Sequence, residues 1–92
     1  MSTIWKWVLP AAQNPIDVPV GARWLTAAAQ GRVICAWAEV DPSGPTESAV
    51  ITLVGTGHPV PPDPGNYLGS AVVLDGEFVF HVYVKTRAVM AQ

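Results

Sequence analysis

The segment GTGHPVPPDPGNY, residues 55–67, restricts what this chain can fold into more than any other stretch. It holds three glycines and four prolines. Proline lacks a backbone N–H and disrupts both helix interiors and central strands. We therefore predict that residues 55–67 form neither a helix nor a central strand. With nine prolines in all, the chain is not expected to be helical.

Short apolar runs that alternate or are β-branched lie between turn signals along most of the chain, and they predict strands. The predicted strands cover residues 3–9, 16–20, 23–29, 33–40, 49–54, 68–74 and 77–85. Pro19 confines the second of these to an edge or a turn. A hairpin is predicted to turn at residues 30 and 31, and the composition of residues 41–48 predicts a loop.

The strongest hairpin signal is Asp75-Gly76, which lies between two alternating runs. A type I′ turn needs positive φ at both central positions, and this dipeptide accepts it. We therefore expect residues 68–74 and 77–85 to pair antiparallel. The second of these strands places Phe78, Phe80, Val82 and Val84 on one face, and Val79, His81, Tyr83 and Lys85 on the other.

Together these elements predict an all-β fold, a small antiparallel sandwich or barrel of six to seven strands. A chain of 92 residues fits one domain, which we place at residues 1–85, with 86–92 as a flexible C-terminal tail. Half of the residues are hydrophobic and only 13% are charged, which is more apolar side chain than one small core needs. We therefore expect a homo-oligomer that buries the excess between its subunits.

Charge, hydropathy and cysteine content exclude several classes of function. The net charge is −2 and the basic residues are scattered, which argues against binding duplex nucleic acid. No apolar run approaches the ~18–20 residues that cross a bilayer, so we expect a soluble, intracellular protein with no membrane partner. Cys35 is the single cysteine and is predicted to lie in the core, which excludes an internal disulfide and a cysteine-based zinc site.

The sequence contains no recognisable catalytic or metal-binding pattern. Its serines lie in loops or at strand ends, without the surroundings of a nucleophile. Two histidines, His58 and His81, are too few donors for a metal site, and Glu39 with Asp41 is better explained as a solvated pair. We therefore predict a protein with no enzymatic activity, metal or cofactor. A hydrolase that uses His58 as its base is a distant third hypothesis.

Residues 55–58 form the candidate binding site. Gly55 and Gly57 flank Thr56, so that a partner can approach the backbone closely, and exposed N–H groups beside a hydroxyl suit a phosphate or a carboxylate. His58 adds a donor, and the prolines that follow stiffen the segment. The alternative is a tight corner between strands in which His58 caps a turn, and composition alone favours this corner.

The aromatic residues favour a ligand site or an interface. Four tryptophans are too many for so small an interior, because large rings need space and indole N–H groups need partners. Aromatic planes beside a glycine–threonine rim would suit a nucleobase attached to phosphate. The candidate ligand-binding residues are therefore Thr56, Gly57 and His58, with Tyr67, Trp5, Trp7, Trp37 and Arg23.

In its order of motifs the chain resembles a family of small uncharacterised proteins encoded by tailed phages and prophages. The motifs that carry the resemblance are TIWKWVL, VPVGARWL, CAWAEVD, GTGHPV, YLGS and FVFHVYV, between residue 3 and about residue 84. It implies a phage-encoded accessory protein of the host cytoplasm, and it assigns a role only to Thr56, Gly57 and His58. Small β-rich phage proteins of this size include the sponges that sequester cyclic nucleotide signals of bacterial defence, and the resemblance suggests a link to them.

Two hypotheses follow. In the first, an oligomer encloses a small nucleotide without turning it over. In the second, the protein is a structural or interaction module that docks a host or virion protein, and the GTGHP segment is only a corner.

Overall fold

The computed structural model describes residues 1–86 of the chain, and within them every regular element is a strand. The strands are β1 (Thr3–Val8), β2 (Gln13–Pro19), β3 (Arg23–Gln30), β4 (Val33–Val40), β5 (Thr46–Gly55), β6 (Asn66–Val73) and β7 (Phe78–Thr86). The predicted tail, apart from Thr86 at the end of β7, lies outside the described residues. No helix in the described part of the chain is long and apolar enough to cross a membrane.

The strands form two antiparallel sheets. The three-stranded sheet has the order β1-β4-β3, and the four-stranded sheet has the order β2-β5-β7-β6. The all-β fold with seven strands is therefore confirmed, and its form is a small sandwich.

The core lies between the sheets and follows the strand alternation. On β7, Val82 and Val84 are buried, as the predicted face requires, and they join Ile51 of β5 and Ala36 of β4 in the main cluster. A second cluster is centred on Val18 of β2 and Ala38 and Val40 of β4. The alanines of β4 leave room for the rings of Trp7 and Trp24, which pack against both clusters.

The two sheets approach each other closely along β3 and β6, and we call this line the seam. At Gly69 of β6 an added Cβ would meet the backbone of Ala27 of β3 at 3.9 Å. Both strands carry an irregularity here, between Trp24 and Thr26 in β3 and between Tyr67 and Gly69 in β6. A bulge bends its strand and increases the local twist, which turns the two edges toward each other.

Two predicted segments are wrong at their ends because ladder partners extend the strands. Residues 46–48, predicted as loop, are strand, because Thr46, Glu47 and Ser48 pair with Pro19, Val18 and Asp17. In the same way β2 begins at Gln13 rather than at residue 16, although it is an edge strand as predicted.

The segment 55–67 is also shorter as a loop than predicted. Gly55 is the last residue of β5, a central strand, and pairs with Phe80. Asn66 and Tyr67 begin β6, because β7 offers them backbone partners. The irregular part is therefore residues 56–65.

Turn positions follow the glycines. The β3–β4 hairpin turns at Gly31 and Arg32, one residue later than predicted, because Gln30 still pairs with Val33 and Gly31 takes the positive φ of +62°. In the β6–β7 turn φ is positive at Asp75 (+54°) and Gly76 (+89°), as predicted, and the N–H of Glu77 donates to the carbonyl of Leu74. The turn is longer than predicted, because the ladder ends at Val73 opposite Phe78, so that Leu74, with a φ of +52°, and Glu77 are not strand.

Cys35 is buried, as predicted, but on the outer side of β4, away from the inter-sheet core. Its neighbours across the ladder are Val8 and Ala28. Above it the ammonium of Lys6 donates to the side-chain carbonyl of Gln30 at 2.7 Å, which closes the sheet surface over the thiol.

Candidate functional site

Three side chains on the outer face of the four-stranded sheet form a hydrogen-bonded chain, which we call the histidine chain. His81 of β7 lies at its centre. Its Nε2 is 2.9 Å from Oγ1 of Thr56, and its Nδ1 is 2.9 Å from the hydroxyl of Tyr67. Thr56 follows β5 and Tyr67 lies near the start of β6, so that the order β5-β7-β6 brings all three together.

The protons of this chain can be assigned from the acceptor at its end. The Thr56 hydroxyl lies 3.3 Å from the carbonyl of Val79 and can donate to it. Oγ1 then accepts from Nε2–H of His81, and Nδ1 accepts from the hydroxyl of Tyr67. This neutral Nε2–H tautomer satisfies all three contacts at once. Thr56 therefore keeps its proton, and the arrangement does not produce a nucleophile.

Aromatic surface surrounds the histidine chain. Tyr67 is 53% exposed. Its ring lies 5.9 Å from the His81 ring and 5.3 Å from the Tyr83 ring, centroid to centroid. Ser70 of β6 lies opposite His81 in the ladder. The outer face thus presents hydroxyls, an imidazole and an accessible ring within one small area.

Tyr67 also lines a cleft at the seam, where β3 and β6 begin. This seam cleft has a volume of about 370 Å³. Its walls are Ala22, Arg23, Trp24, Asn66, Tyr67, Leu68, Val84 and Thr86. A volume of this size falls within the range of small-ligand sites, about 300–1,000 Å³.

Two polar groups of the cleft wall have unusual surroundings. The guanidinium of Arg23 donates to a single carboxylate oxygen of Glu39, from Nη2 at 2.8 Å and from Nε at 3.2 Å, and it stays largely exposed. The indole N–H of Trp24 is buried and has no hydrogen-bond partner within residues 1–86. A buried donor without a partner costs about 1–3 kcal/mol. Trp24 therefore carries a buried donor that no group within residues 1–86 uses.

The GTGHP segment forms a tight turn at the end of β5. The N–H of His58 donates to the carbonyl of Gly55 at 3.0 Å, and Gly57 has a φ of +91°. The N–H of Thr56 donates to the carbonyl of Val79. Two of the backbone N–H groups expected to bind an anion are therefore bonded within the protein. The ring of His58 packs beside Gly55, where an added Cβ would meet it at 3.0 Å, and does not join the histidine chain.

The predicted tryptophans lie elsewhere. Trp5 and Trp7 lie on the inner side of β1 with ring centroids 6.1 Å apart, and Trp7 is 5.1 Å from Trp24. Trp37 lies on the outer side of β4, opposite Lys6 and Thr26. Of the eight predicted site residues, the structure thus joins Thr56 and Tyr67 through His81, and Arg23 and Tyr67 through the seam cleft.

The proline-rich loop, residues 56–65, continues from the turn toward β7. Lys85 and Asp63 form an ion pair between strand and loop. Gly65 is pressed against β7, where an added Cβ would lie 2.2 Å from the carbonyl oxygen of Val84. The loop is thus fixed at this end and forms a border of the outer face.

Sequence reasoning did not assign His81, Trp24 or Asn66 to the site. Alternation correctly placed His81 on the outward face of the last strand. Its two partners come from other strands, and no local pattern shows the order of those strands. No group of three or more histidine, cysteine, aspartate or glutamate side chains within residues 1–86 could hold a metal ion.

A family model covers the whole chain, residues 1–92, and its description is Domain of unknown function (DUF7352). The chain belongs to this family. Comparison of this DUF7352 domain with curated proteins and with solved structures gives no match.

Proposed function

We propose that the protein is a non-enzymatic binding protein whose ligand is a small nucleotide held in the seam cleft beside the histidine chain. The observation that carries this proposal is the position of Tyr67. Tyr67 is one of the residues that line the cleft, and its hydroxyl bonds His81 on the outer face. One residue therefore belongs both to the cleft and to the polar outer face.

The chemistry of the cleft wall suits a base and a phosphate together. An exposed aromatic ring such as Tyr67 can stack on a nucleobase, which contributes about 1–3 kcal/mol. Arg23 lies in the same wall, and a guanidinium recognises phosphate through paired N–H groups. The amide of Asn66, an exposed residue of the same wall, adds a polar group that a base edge or a sugar can use.

Binding without turnover is favoured by the histidine chain itself. The histidine chain directs the proton of the Thr56 hydroxyl to the carbonyl of Val79. His81 therefore does not act as a base on the Thr56 hydroxyl. Retention of an intact ligand is how a sponge works. The resemblance to phage proteins makes the cyclic nucleotides of bacterial defence the first ligands to test.

The test is a thermal melt of the purified protein with a panel of cyclic di- and trinucleotides, followed by recovery of the ligand. A ligand at 100 times its dissociation constant adds about 2.7 kcal/mol to the free energy of unfolding. Arg23→Gln should weaken the binding of an active nucleotide about tenfold or more, equivalent to about 1.4 kcal/mol. Arg32→Gln makes the same change of charge in the β3–β4 turn, outside the seam cleft, and should leave affinity unchanged.

Three results would overturn this proposal. The first is a panel in which no nucleotide shifts the melt. The second is equal weakening by Arg23→Gln and Arg32→Gln, which would indicate a diffuse charge effect. The third is recovery of a hydrolysed ligand, which would make the protein an enzyme.

A second candidate function is an interaction module that docks a host or virion protein. It is favoured by apolar side chains on the outer side of the three-stranded sheet. Ile4 is 60% exposed there, and Val8 and Val33 are also exposed, near Trp37. Nucleotide binding that is sensitive to Arg23→Gln would favour the first candidate. A partner lost on Val33→Lys, with no nucleotide bound, would favour the second.

A further inference from the structure

Each sheet ends in two edge strands, and an edge exposes unpaired backbone N–H and C=O groups that can pair with another chain. The edges are β1 and β3 in the three-stranded sheet, and β2 and β6 in the four-stranded sheet. Natural proteins protect such edges with proline, charge, bulges or covering elements. The four edges of this protein differ sharply in that respect.

Three of the edges are protected. Strand β2 carries Pro15 and Pro19, which cannot donate to a ladder, and Asp17 between them. The edges of β3 and β6 are each interrupted by a bulge and approach each other at the seam. Each of the three is thus interrupted by proline or by a bulge, and the edges of β3 and β6 also face each other across the seam.

Strand β1 has no such protection. Its pairing with β4 is regular from Thr3 opposite Val40 to Val8 opposite Cys35, and its sequence TIWKWV contains neither proline nor glycine. Lys6 is its one charged residue, and a single lysine leaves the rest of the edge unscreened. Trp5 and Ile4 are both exposed along the strand.

We propose that β1 pairs antiparallel with β1 of a second copy of this chain, so that two three-stranded sheets become one continuous sheet. A two-fold axis perpendicular to the sheet keeps the inner sides of both copies on the same side. Residues that face each other across the new pair must then share a side of the strand. In every register that meets this requirement, one residue of β1 lies at the two-fold axis and faces the same residue of the second copy. We call such a register centred on that residue.

The charge of Lys6 selects among these registers. A register centred on Lys6 places two ammonium groups opposite each other, which is destabilising. A register centred on Trp5 has the same overlap and places Ile4 opposite Lys6 of the second copy and Thr3 opposite Trp7. The two Trp5 rings then meet on the axis, and no like charges face each other. We therefore assign the pairing to the register centred on Trp5.

This inference is independent of the proposed ligand site, because β1 contributes no residue to the seam cleft. The test is the oligomeric state of the wild type and three variants, measured by sedimentation at tens of micromolar. The wild type should be a dimer. Ile4→Lys places two like charges opposite each other in each pair, the introduced lysine against Lys6 of the other copy, and should weaken the dimer at least tenfold.

A second change distinguishes the register from a general effect of charge. In the double variant Ile4→Lys with Lys6→Glu, each new lysine faces a glutamate of the other copy, and the dimer should return. Val33→Lys is the matched control. It adds the same charge at another exposed apolar residue of the same sheet, on β4 and away from the edge, and should remain dimeric. Melting of each variant checks that it is folded.

A monomeric wild type would overturn the inference. So would a double variant that stays monomeric, or loss of the dimer in Val33→Lys, which would assign the contact to the sheet face. If a monomeric Ile4→Lys variant still binds a nucleotide, the proposed function stands without the dimer.

Discussion

The hydroxyl of Tyr67 lies 2.9 Å from Nδ1 of His81, although fourteen residues separate them along the chain. The β6–β7 hairpin accounts for this contact. The ladder places Tyr67 opposite Tyr83 and Ser70 opposite His81, and the bulge between Tyr67 and Gly69 shifts the register between these pairs. A local irregularity thus brings a tyrosine to a histidine that regular pairing would place farther away.

We expect neutral His81 to be the Nε2–H tautomer, because only this form satisfies the contacts to Tyr67, Thr56 and the Val79 carbonyl together. Nitrogen chemical shifts of the neutral imidazole, measured by NMR at alkaline pH, distinguish the two tautomers. In Tyr67→Phe the preference should weaken, because Nδ1 loses its donor. A dominant Nδ1–H form in the wild type would contradict this assignment.

Gly65→Ala should strongly destabilise the protein. The new Cβ would lie 2.2 Å from the Val84 carbonyl oxygen, and Gly65 has a φ of +97°. Gly57→Ala is the control, since it also has positive φ but meets no atom within 4 Å. We expect about 1 kcal/mol for Gly57→Ala from backbone strain alone, and more than about 3 kcal/mol for Gly65→Ala. Urea unfolding measures the free energy of unfolding of both variants. Equal losses of stability would show that β7 moves to accommodate the new Cβ.

Asn14→Ala should cost about 2–3 kcal/mol in the free energy of unfolding. The buried side chain of Asn14 accepts from the N–H of Ala11 and donates to the carbonyls of Ala11 and Ile51. Its removal leaves buried backbone groups without partners. Asn66→Ala, at an exposed position, should change stability by less than about 0.5 kcal/mol. A loss at Asn14 no larger than at Asn66 would mean that water replaces the amide.

Asp41 should titrate below its ordinary pKa of 3.8. The side chain of Ser43 donates to this carboxylate at 2.6 Å and the backbone N–H of Ser43 at 3.1 Å, and both bonds lower the pKa of Asp41. Because the folded-state pKa is lowered, the stabilisation is present above pH 3.8 and is lost as the pH falls through the lowered value. Ser43→Ala should raise the pKa of Asp41 in an NMR titration, and an unchanged pKa would contradict the assigned cause.

Local patterns predicted the class of fold because they operate at the scale of a strand. The alternation of the last strand placed Val82 and Val84 in the core and His81 outside, and Asp75-Gly76 set a turn of the expected geometry. Strand ends were less predictable. Whether Thr46 or Asn66 is strand depends on a partner elsewhere in the chain, here Pro19 or Val84.

The candidate site was predictable only in part, for the same reason. Composition singled out Thr56, Tyr67 and Arg23 but gave no order of strands. His81 joins the first two only because β7 lies between β5 and β6. Arg23 and Tyr67 line the same cleft only because β3 and β6 form the seam. Trp5, Trp7 and Trp37 were included in the predicted site because of their residue type. The pairing of β1 with β4 and of β3 with β4 places them on other surfaces.

The order of strands in the two sheets also determines which pairings are local in sequence and which are not. Hairpins β3–β4 and β6–β7 join neighbours in sequence, and such contacts form early because their loops are short. Strand β1 must wait for β4, and β2 must wait for β5, so neither N-terminal strand can pair until a later part of the chain has been made. During synthesis the run TIWKWV is exposed without its partner, as is typical of a segment that aggregates or needs a chaperone. Slow translation after residue 40 would therefore give β1 a chance to dock on the finished β3–β4 hairpin before the second sheet appears.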